Sequence, residues 1–280
     1  MYKILRKEKL NETVTLMEVD SPLIAKKARA GQFVILRVDE KGERLPLTIA
    51  GADEKTGAVT IIFQVVGRTT KLLDALNEGE SILDFVGPLG VPTHLDGIQK
   101  ALIIGGGVGC AIAYPQAKAL FARGAAVDMI AGFRSKDIVI LEKEMRACTD
   151  NLYITTDDGS YGEKGFVTDK LKFLLDNGNQ YDAVIAIGPV IMMKFVCAVT
   201  KEYGVKTIVS LNPVMVDGTG MCGGCRVTVG GQIKFACVDG PDFDGHQVDF
   251  DELMRRNSFY KEREAQDSHN CRMLEMGNRN

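Results

Sequence analysis

At 280 residues, the chain is long enough to form two or three small domains with buried cores. Hydrophobic residues make up 45% of it, charged residues 25%, and the net charge is −3, so the composition is that of a globular protein and does not favour nucleic acid as a partner. The chain has no uncharged apolar run near the ~18 residues of a membrane span, and its N-terminus lacks the layout of a signal peptide. We therefore expect a cytoplasmic protein without a membrane partner.

The N-terminal part contains short β segments separated by turn signals, namely TVTLMEV, GQFVILRV, LPLTIAG and AVTIIFQVV. This pattern predicts an antiparallel barrel or sandwich over residues 1–97. Thr48, Thr69 and Thr70 stand beside Pro or Gly turns, where short hydroxyl donors could bind a flavin or its phosphates. Each could equally be a strand-end Thr without a ligand.

From residue 98 to residue 211, buried strands alternate with helical segments. ALII, VDMIAGF, NLYITT, AVIAI and TIVSL are the strands, and helices are expected to about residue 123 and around 140–147, 167–177 and 191–203. Alternation of this kind predicts a doubly wound parallel sheet, which makes the fold a β-barrel plus α/β.

Glycine-rich loops follow three of these strands: GGGVG at 105–109, DDGSYG at 157–162 and GPVIMM at 188–193. Open parallel sheets bind ligands at the carboxyl ends of their strands, and GGGVG places N–H groups at a helix N-terminus where a pyrophosphate could lie. Each loop alone could be an ordinary turn, but together they indicate a nucleotide site. Arg134 and Lys136 leave a 2′-phosphate possible.

Three of the seven cysteines cluster: Cys222, Cys225 and Cys237 follow Asp217 in a glycine-rich segment. The Gly-Gly turn between RVTV and QIKFAC predicts a hairpin whose register makes Cys225 and Cys237 diagonal neighbours. Asp217 stands at the first position of the plant-type 2Fe-2S pattern C-x4-C-x2-C with a distant Cys. We therefore predict a 2Fe-2S cluster ligated by Asp217, Cys222, Cys225 and Cys237, in a module over residues 212–250.

Alternatives to this cluster remain open at the level of sequence. C-x2-C with a later Cys also suits zinc, with His246 or Asp217 as fourth ligand, and a disulfide between two of the cysteines is a further option. Cys110, Cys148 and Cys197 are isolated and expected to be buried. Residues 251–280 form a charged tail, either a solvated helix that frays or an arm that binds a partner subunit.

Barrel, nucleotide domain and cluster segment in this order resemble the ferredoxin-NADP reductase superfamily, specifically its dihydroorotate dehydrogenase electron-transfer branch. Within it, the chain is most similar to the small subunits of NADH-dependent ferredoxin-NADP oxidoreductases, also described as sulfide dehydrogenase subunits. The most specific stretch is SLNPVMVDGTGMCGGCRV with CVDGPDFDGHQVDFDEL. It contains Asp217 in place of a Cys, and an extension past the last Cys that the dihydroorotate branch lacks.

The resemblance implies site residues position by position. Leu45 stands where many relatives have an Arg, with Arg44 one position early, and Ile187 replaces a Cys that often precedes the last Gly-Pro. The residues implied at the flavin are Arg44, Leu45, Pro46, Leu47, Thr48, Phe63, Gln64, Val65, Gly67, Thr69, Thr70, Gly87 and Pro88. Those implied at the NAD site are Gly105, Gly106, Gly107, Val108, Gly109, Arg134, Asp157, Asp158, Gly159, Gly188, Pro189 and Met192.

The resemblance also implies cofactors, partners and an activity. NAD(H) exchanges hydride, a 2Fe-2S cluster takes one electron at a time, and FAD converts between the two. The implied partner is a larger subunit with its own FAD, NADP site and 4Fe-4S clusters, in a heterodimer that couples NADPH oxidation to reduction of NAD and ferredoxin by electron bifurcation. Alternatives are an electron-transfer subunit of NAD-dependent dihydroorotate dehydrogenase, a sulfide or polysulfide oxidoreductase subunit, and a nucleotide-binding regulator with a structural zinc site.

Overall fold

A nearly closed antiparallel barrel occupies the N-terminal part of the protein, whose computed structural model describes residues 1–259. Short hydrophobic runs with turn residues between them form its strands, and the apolar side chains of these runs fill the barrel. Its elements are β1 (Tyr2–Lys9), β2 (Val14–Asp20), α1 (Pro22–Ala25), β3 (Phe33–Arg37), β4 (Leu45–Asp53), β5 (Ala58–Gln64), α2 (Arg68–Ala75), β6 (Ser81–Ile82) and β7 (Asp84–Leu89). They pair in the order β6-β1-β2-β5-β4-β3-β7.

A parallel sheet with helices on both faces follows the barrel, as the alternation of strands and helices predicts. Its strands are almost wholly buried because helices cover both faces, which explains the near-continuous apolar runs. Its elements are β8 (Lys100–Gly106), α3 (Gly109–Ala122), β9 (Ala126–Phe133), α4 (Glu142–Arg146), β10 (Asn151–Thr156), β11 (Glu163–Lys164), α5 (Val167–Asp176), β12 (Ala183–Ile187), α6 (Val190–Glu202) and β13 (Thr207–Ser210).

The last part of the chain is a small module on the edge of this sheet. It contains the hairpin β14 (Arg226–Val229) and β15 (Gln232–Phe235), the strand β16 (Asp242–Asp244) and the helix α7 (Phe250–Ser258). Strand β16 pairs antiparallel with β13, so the sheet runs β11-β10-β9-β8-β12-β13-β16. The module and the α/β part of the chain therefore share one sheet and one hydrophobic cluster.

Two further observations concern the isolated cysteines and the length of the helices. The isolated cysteines Cys110, Cys148 and Cys197 are buried, as predicted. Over residues 1–259, none of the helices combines the length and the apolar character that crossing a membrane would require. The predicted tail reaches past residue 259, so its larger part lies outside the described residues.

Candidate functional site

Two buried thiols lie together at the end of the C-terminal hairpin. Arg226 stands opposite Phe235, and the N–H of Ala236 donates to the carbonyl of Cys225 at 3.1 Å, which confirms the predicted register. The Sγ atoms of Cys225 and Cys237 are 3.2 Å apart, well beyond the ~2.05 Å of a disulfide bond. Burial and the neighbouring thiol raise the pKa of Cys237 to about 12. A metal centre bound by these two sulfurs would hold them as thiolates, as iron does in a 2Fe-2S cluster.

The other two predicted ligands lie on the loop that precedes the hairpin. Asp217 accepts hydrogen bonds from the N–H of Thr219 at 2.8 Å and from the N–H of Cys222 at 2.7 Å. The bond from Thr219 is the largest cause that lowers the pKa of Asp217, so the carboxylate is ionised near neutral pH. Cys222 is exposed, and its Sγ accepts from the N–H of Gly224 at 3.4 Å. Within residues 1–259, no three His, Cys, Asp or Glu side chains converge on one metal position.

His246, the alternative zinc ligand, is directed elsewhere. Its Nε2 lies 3.0 Å from the hydroxyl of Thr200, which in turn accepts from the hydroxyl of Thr207 at 2.6 Å. These contacts join the module to the nucleotide domain through α6 and β13. The imidazole thus serves as an interdomain hydrogen-bonding group in this structure.

The loop around Asp217 rests directly on the outer face of the barrel. Gly218 has a φ of +76°, and a Cβ there would lie 2.7 Å from Leu89 and 2.8 Å from Ile35, so the backbone approaches β3 and β7 closely. Beside it is a cavity of about 100 Å³ lined by Ile35, Leu36, Arg37, Arg44, Asp84, Val86 and Asp217. Arg44 of the barrel and Asp217 of the module therefore line the same cavity.

Backbone and glycine dominate the predicted NAD site at the carboxyl edge of the parallel sheet. A Cβ on Gly109 would lie 2.5 Å from the carbonyl oxygen of Ile187, and one on Gly106 would lie 2.5 Å from Sδ of Met192. Gly107 has a φ of +57°, and a Cβ there would point into open space. The loops after β8 and β12 are thus in contact, and the N-terminus of α3 opens toward a free surface that suits a pyrophosphate.

Two further loops meet at the same edge, after β9 and β10. The N–H groups of Asp157 and Asp158 donate to the carbonyls of Phe133 and Arg134 at 3.0 and 3.2 Å. Ser160 donates to Asp158 from its backbone at 2.9 Å and from its hydroxyl at 2.6 Å, and that hydroxyl is the largest cause that lowers the pKa of Asp158. Asp158 thus closes its own loop, while Asp157 and Arg134 are exposed.

The turn before α2 is the predicted phosphate-binding part of the barrel. The Thr70 hydroxyl accepts from the N–H groups of Val66 and Gly67, both at 3.0 Å, and so caps the helix. The Thr69 hydroxyl donates to the carboxylate of Glu43 at 2.8 Å. The Glu43 carboxylate therefore lies at the N-terminus of α2, where the helix macrodipole would also favour a phosphate.

The remaining predicted flavin residues lie along neighbouring strands. Thr48 on β4 pairs with Phe33 on β3, and Leu45 and Leu47 pack on the barrel core. Phe63 is buried inside that core. The other predicted positions are exposed or partly exposed: Arg44, Pro46, Gln64, Val65, Gly67, Gly87 and Pro88.

Three contacts at these sites join residues that the sequence did not connect. Glu43 reaches Thr69, Arg256 on α7 reaches the carbonyl of Gly224 at 3.4 Å, and Asp242 accepts from the hydroxyl of Thr93 at 2.5 Å. Glu43 lies in the loop just before β4, so strand alternation does not predict its contact with Thr69. The other two contacts leave no local pattern.

Comparison with known proteins places these features in context. A family model described as the iron-sulfur cluster binding domain of dihydroorotate dehydrogenase B matches residues 212–249. The dihydroorotate dehydrogenase B (NAD(+)) electron transfer subunit homolog of Thermotoga maritima is 49% identical over 264 residues, which cover 94% of this chain and 93% of that protein. An uncharacterized protein of Clostridium beijerinckii is 54% identical over 273 residues, 95% of this chain and 92% of that protein.

A solved structure is similar over almost the whole length. It is a chain of the NADH-dependent reduced ferredoxin-NADP oxidoreductase, a structure that was described for its insights into flavin-based electron bifurcation. The TM-score is 0.92 at 47% sequence identity, and the match covers 98% of each chain. The two chains therefore share the barrel, the parallel sheet and the C-terminal module in the same order.

Proposed function

The chain belongs to the family of dihydroorotate dehydrogenase B electron transfer subunits, and we propose that it passes electrons between NAD(H) and a larger flavin and iron-sulfur subunit in a bifurcating enzyme. It is an electron-transfer subunit of a flavin and iron-sulfur oxidoreductase, with FAD, a 2Fe-2S cluster and NAD(H) as cofactors. In the proposed reaction, NADPH oxidation by the partner drives reduction of both NAD and ferredoxin. The likeness to the bifurcating oxidoreductase over 98% of both chains supports this choice.

One observation carries the proposal. The loop of the predicted acidic ligand lies on the outer face of the barrel, with Gly218 packed on Ile35 and Leu89, and the buried thiols of Cys225 and Cys237 lie 3.2 Å apart in the same module. A cluster bound by Asp217 and these cysteines would be held next to the barrel. This position suits a relay that takes electrons from a flavin and delivers them to another subunit.

The chain's own residues have distinct roles in the proposal. FAD, when bound, converts between the hydride of NAD(H) and single electrons. The first turn of α2, where the Thr69 hydroxyl donates to Glu43, would hold the flavin phosphates once Glu43 moves aside, and the N-terminus of α3 behind Gly107 would hold the NAD pyrophosphate. Cys222, Cys225, Cys237 and Asp217 hold the cluster. Ile187 stands where relatives often have a Cys before the last Gly-Pro, so this chain has no thiol at that position.

The fourth ligand needs its own test because Asp217 also closes the loop through two N–H groups. If Asp217 ligates iron, Asp217→Cys keeps the cluster and shifts its potential, whereas Asp217→Asn lowers cluster content. Loop closure alone predicts a loss of cluster in Asp217→Cys as well, because the N–H groups of Thr219 and Cys222 bond to different carboxylate oxygens, of which Asn keeps one and Cys keeps neither. Iron content and a redox titration of each variant separate the two roles.

The whole proposal is tested on protein purified anaerobically together with its co-purifying proteins. We expect visible flavin and iron-sulfur absorbance, bleaching of the flavin by NADH in preference to NADPH, and NAD-dependent ferredoxin reduction by NADPH once the partner is present. A colourless protein with stoichiometric zinc would falsify it. Uncoupled reduction of ferredoxin without NAD would refute bifurcation alone.

A second function is favoured by the names of the relatives and by the family model over residues 212–249. In it, the partner oxidises dihydroorotate and the chain delivers the electrons to NAD. Reduction of NAD by dihydroorotate in the co-purified complex, with no response to NADPH, would favour this reaction over the first.

A further inference from the structure

Helix α7 lies just beyond the matched cluster-binding domain and contacts its loop at two points. The family match ends at residue 249, and α7 begins at Phe250. Near the end of the helix, Nη2 of Arg256 lies 3.4 Å from the carbonyl oxygen of Gly224, and Nδ2 of Asn257 lies 3.5 Å from that of Asn212. Asn212 opens the matched domain, and Gly224 lies inside the C-x2-C. The helix therefore reaches both ends of the loop that carries Cys222.

The position of α7 is fixed by contacts that do not involve the loop. Asp249 caps its N-terminus by accepting from the N–H of Glu252 at 2.8 Å. Leu253 is 1% exposed and belongs to the same hydrophobic cluster as Cys225 and Cys237. Asp251 pairs with Lys194 of α6 at 2.7 Å. Arg256 is thus presented to the loop by a helix that the nucleotide domain already holds.

Gly224 links this guanidinium to a cluster sulfur. Its N–H donates to Sγ of Cys222 at 3.4 Å, while its carbonyl accepts from Arg256. A charged donor at the carbonyl restrains the rotation of the glycine backbone, and hydrogen bonds in series polarise one another. Hydrogen bonds to cluster sulfurs and the local net charge are two of the factors that set the potential of an iron-sulfur cluster.

We propose that Arg256 is a positioning residue that raises the reduction potential of the cluster, by orienting the N–H of Gly224 toward Cys222 and by adding a positive charge beside the reduced centre. The inference rests on the proposed function, in which Cys222, Cys225 and Cys237 hold iron. A cation in the last turn of a helix also interacts favourably with the helix dipole. Arg255 shares that location, is exposed and has the same charge, so it is the matched control.

The experiment measures the midpoint potential of the cluster by electron paramagnetic resonance during redox titration of the full chain. At the wild-type midpoint, we expect Arg256→Gln to lower the ratio of reduced to oxidised cluster by about fivefold to tenfold, a tenfold change being 59 mV for one electron. Arg256→Lys keeps the charge and should stay within about threefold of wild type. Arg255→Gln should leave the ratio unchanged, because solvent screens an exposed charge.

The possible results separate the inference from the proposed function. A wild-type protein without a 2Fe-2S signal ends the proposed function. With the signal present, an unchanged potential in Arg256→Gln, or an equal shift in Arg255→Gln, overturns the role of Arg256. If Arg256→Gln is isolated without a cluster, Arg256→Lys decides: a retained cluster with a near-wild-type potential supports the role, and a lost cluster overturns it because the cation alone should suffice.

Discussion

The cluster segment and the nucleotide edge of the sheet differ in the chemical groups that form the two candidate sites. In the cluster segment, the proposed ligands are side chains at fixed spacing, and a tight hairpin brings two of them to 3.2 Å. At the nucleotide edge, glycines and backbone N–H groups form the surface, and few side chains take part. We therefore expect the loss of a single ligand atom to abolish cluster binding in the first region. In the second region, we expect the addition of a single methyl group to weaken nucleotide binding.

The largest expected effect is removal of a buried thiol from the cluster segment. Cys225→Ser should eliminate the cluster while retaining FAD, because a serine hydroxyl is a poor ligand for iron and its neighbour Cys237 is left alone. Iron content and the visible spectrum report the loss. Cys148→Ser, at an isolated buried cysteine far along the chain, should keep full iron content. Full occupancy in Cys225→Ser would mean that the hairpin does not supply the ligands.

Gly109→Ala applies the complementary test to the nucleotide edge. The added Cβ would lie 2.5 Å from the carbonyl oxygen of Ile187, and backbone cannot move aside as a flexible side chain can. Overpacking of this kind costs about 1–3 kcal/mol of stability, so we expect a lower unfolding temperature. Relief of the contact must also displace the first turn of α3, and we expect this displacement to weaken NADH binding roughly tenfold, which corresponds to about 1.4 kcal/mol of binding free energy.

The control for this variant lies at the other end of the same helix. Gly124 follows α3, and a Cβ there would meet nothing within 4 Å, although its φ is +81°. Gly124→Ala should cost about 1–2 kcal/mol of stability through the left-handed backbone, with NADH affinity unchanged. Equal NADH affinity in wild type and Gly109→Ala would show that the contact between the two loops does not shape the site.

Features that depend on local sequence could be predicted in both regions, whereas contacts between distant residues could not. The Gly-Gly turn sets the hairpin register locally, so the meeting of Cys225 and Cys237 could be predicted from spacing alone. Alternating strands and helices likewise predict the parallel sheet and its ligand edge. The contacts of Arg256 with Gly224 and of Thr93 with Asp242 could not be predicted, because tertiary packing joins residues 32 and 149 positions apart.

Asp242 lies on the strand that joins the C-terminal module to the parallel sheet, and its titration should make the stability of the folded protein depend on pH. It is on β16, accepts from Thr93, and its second carboxyl oxygen has no partner among residues 1–259. Burial raises the pKa of Asp242 to about 6, from an ordinary value of 3.8. The folded protein then binds this proton more tightly than the unfolded chain, so stability falls as pH rises between these two values and stays low above them.

Asp242→Asn removes this titration. A difference of about two pKa units corresponds to at most about 3 kcal/mol, and we expect about 1–3 kcal/mol. Relative to wild type, the variant should therefore gain stability on going from pH 4 to pH 7, measured as the difference in thermal midpoints. Asp96→Asn, at a largely exposed carboxylate, is the control and should show no such trend. A constant difference between wild type and Asp242→Asn would place the Asp242 pKa near its ordinary value.

The smallest expected effect concerns Asp157, an exposed residue at the nucleotide edge, which we propose influences the choice between NADH and NADPH. Asp157 presents a carboxylate beside the loop that Asp158 closes, and a like charge within ~4 Å of a 2′-phosphate costs about 1–4 kcal/mol. Asp157→Asn should therefore raise the preference for NADPH relative to NADH at least fivefold, as measured by flavin reduction. Asp182→Asn, at the opposite edge of the sheet where its carboxylate accepts from Gln99 and Lys100, should leave the ratio unchanged. An unaltered ratio in Asp157→Asn would mean that backbone alone sets coenzyme choice here, which would make the contrast with the cluster segment complete.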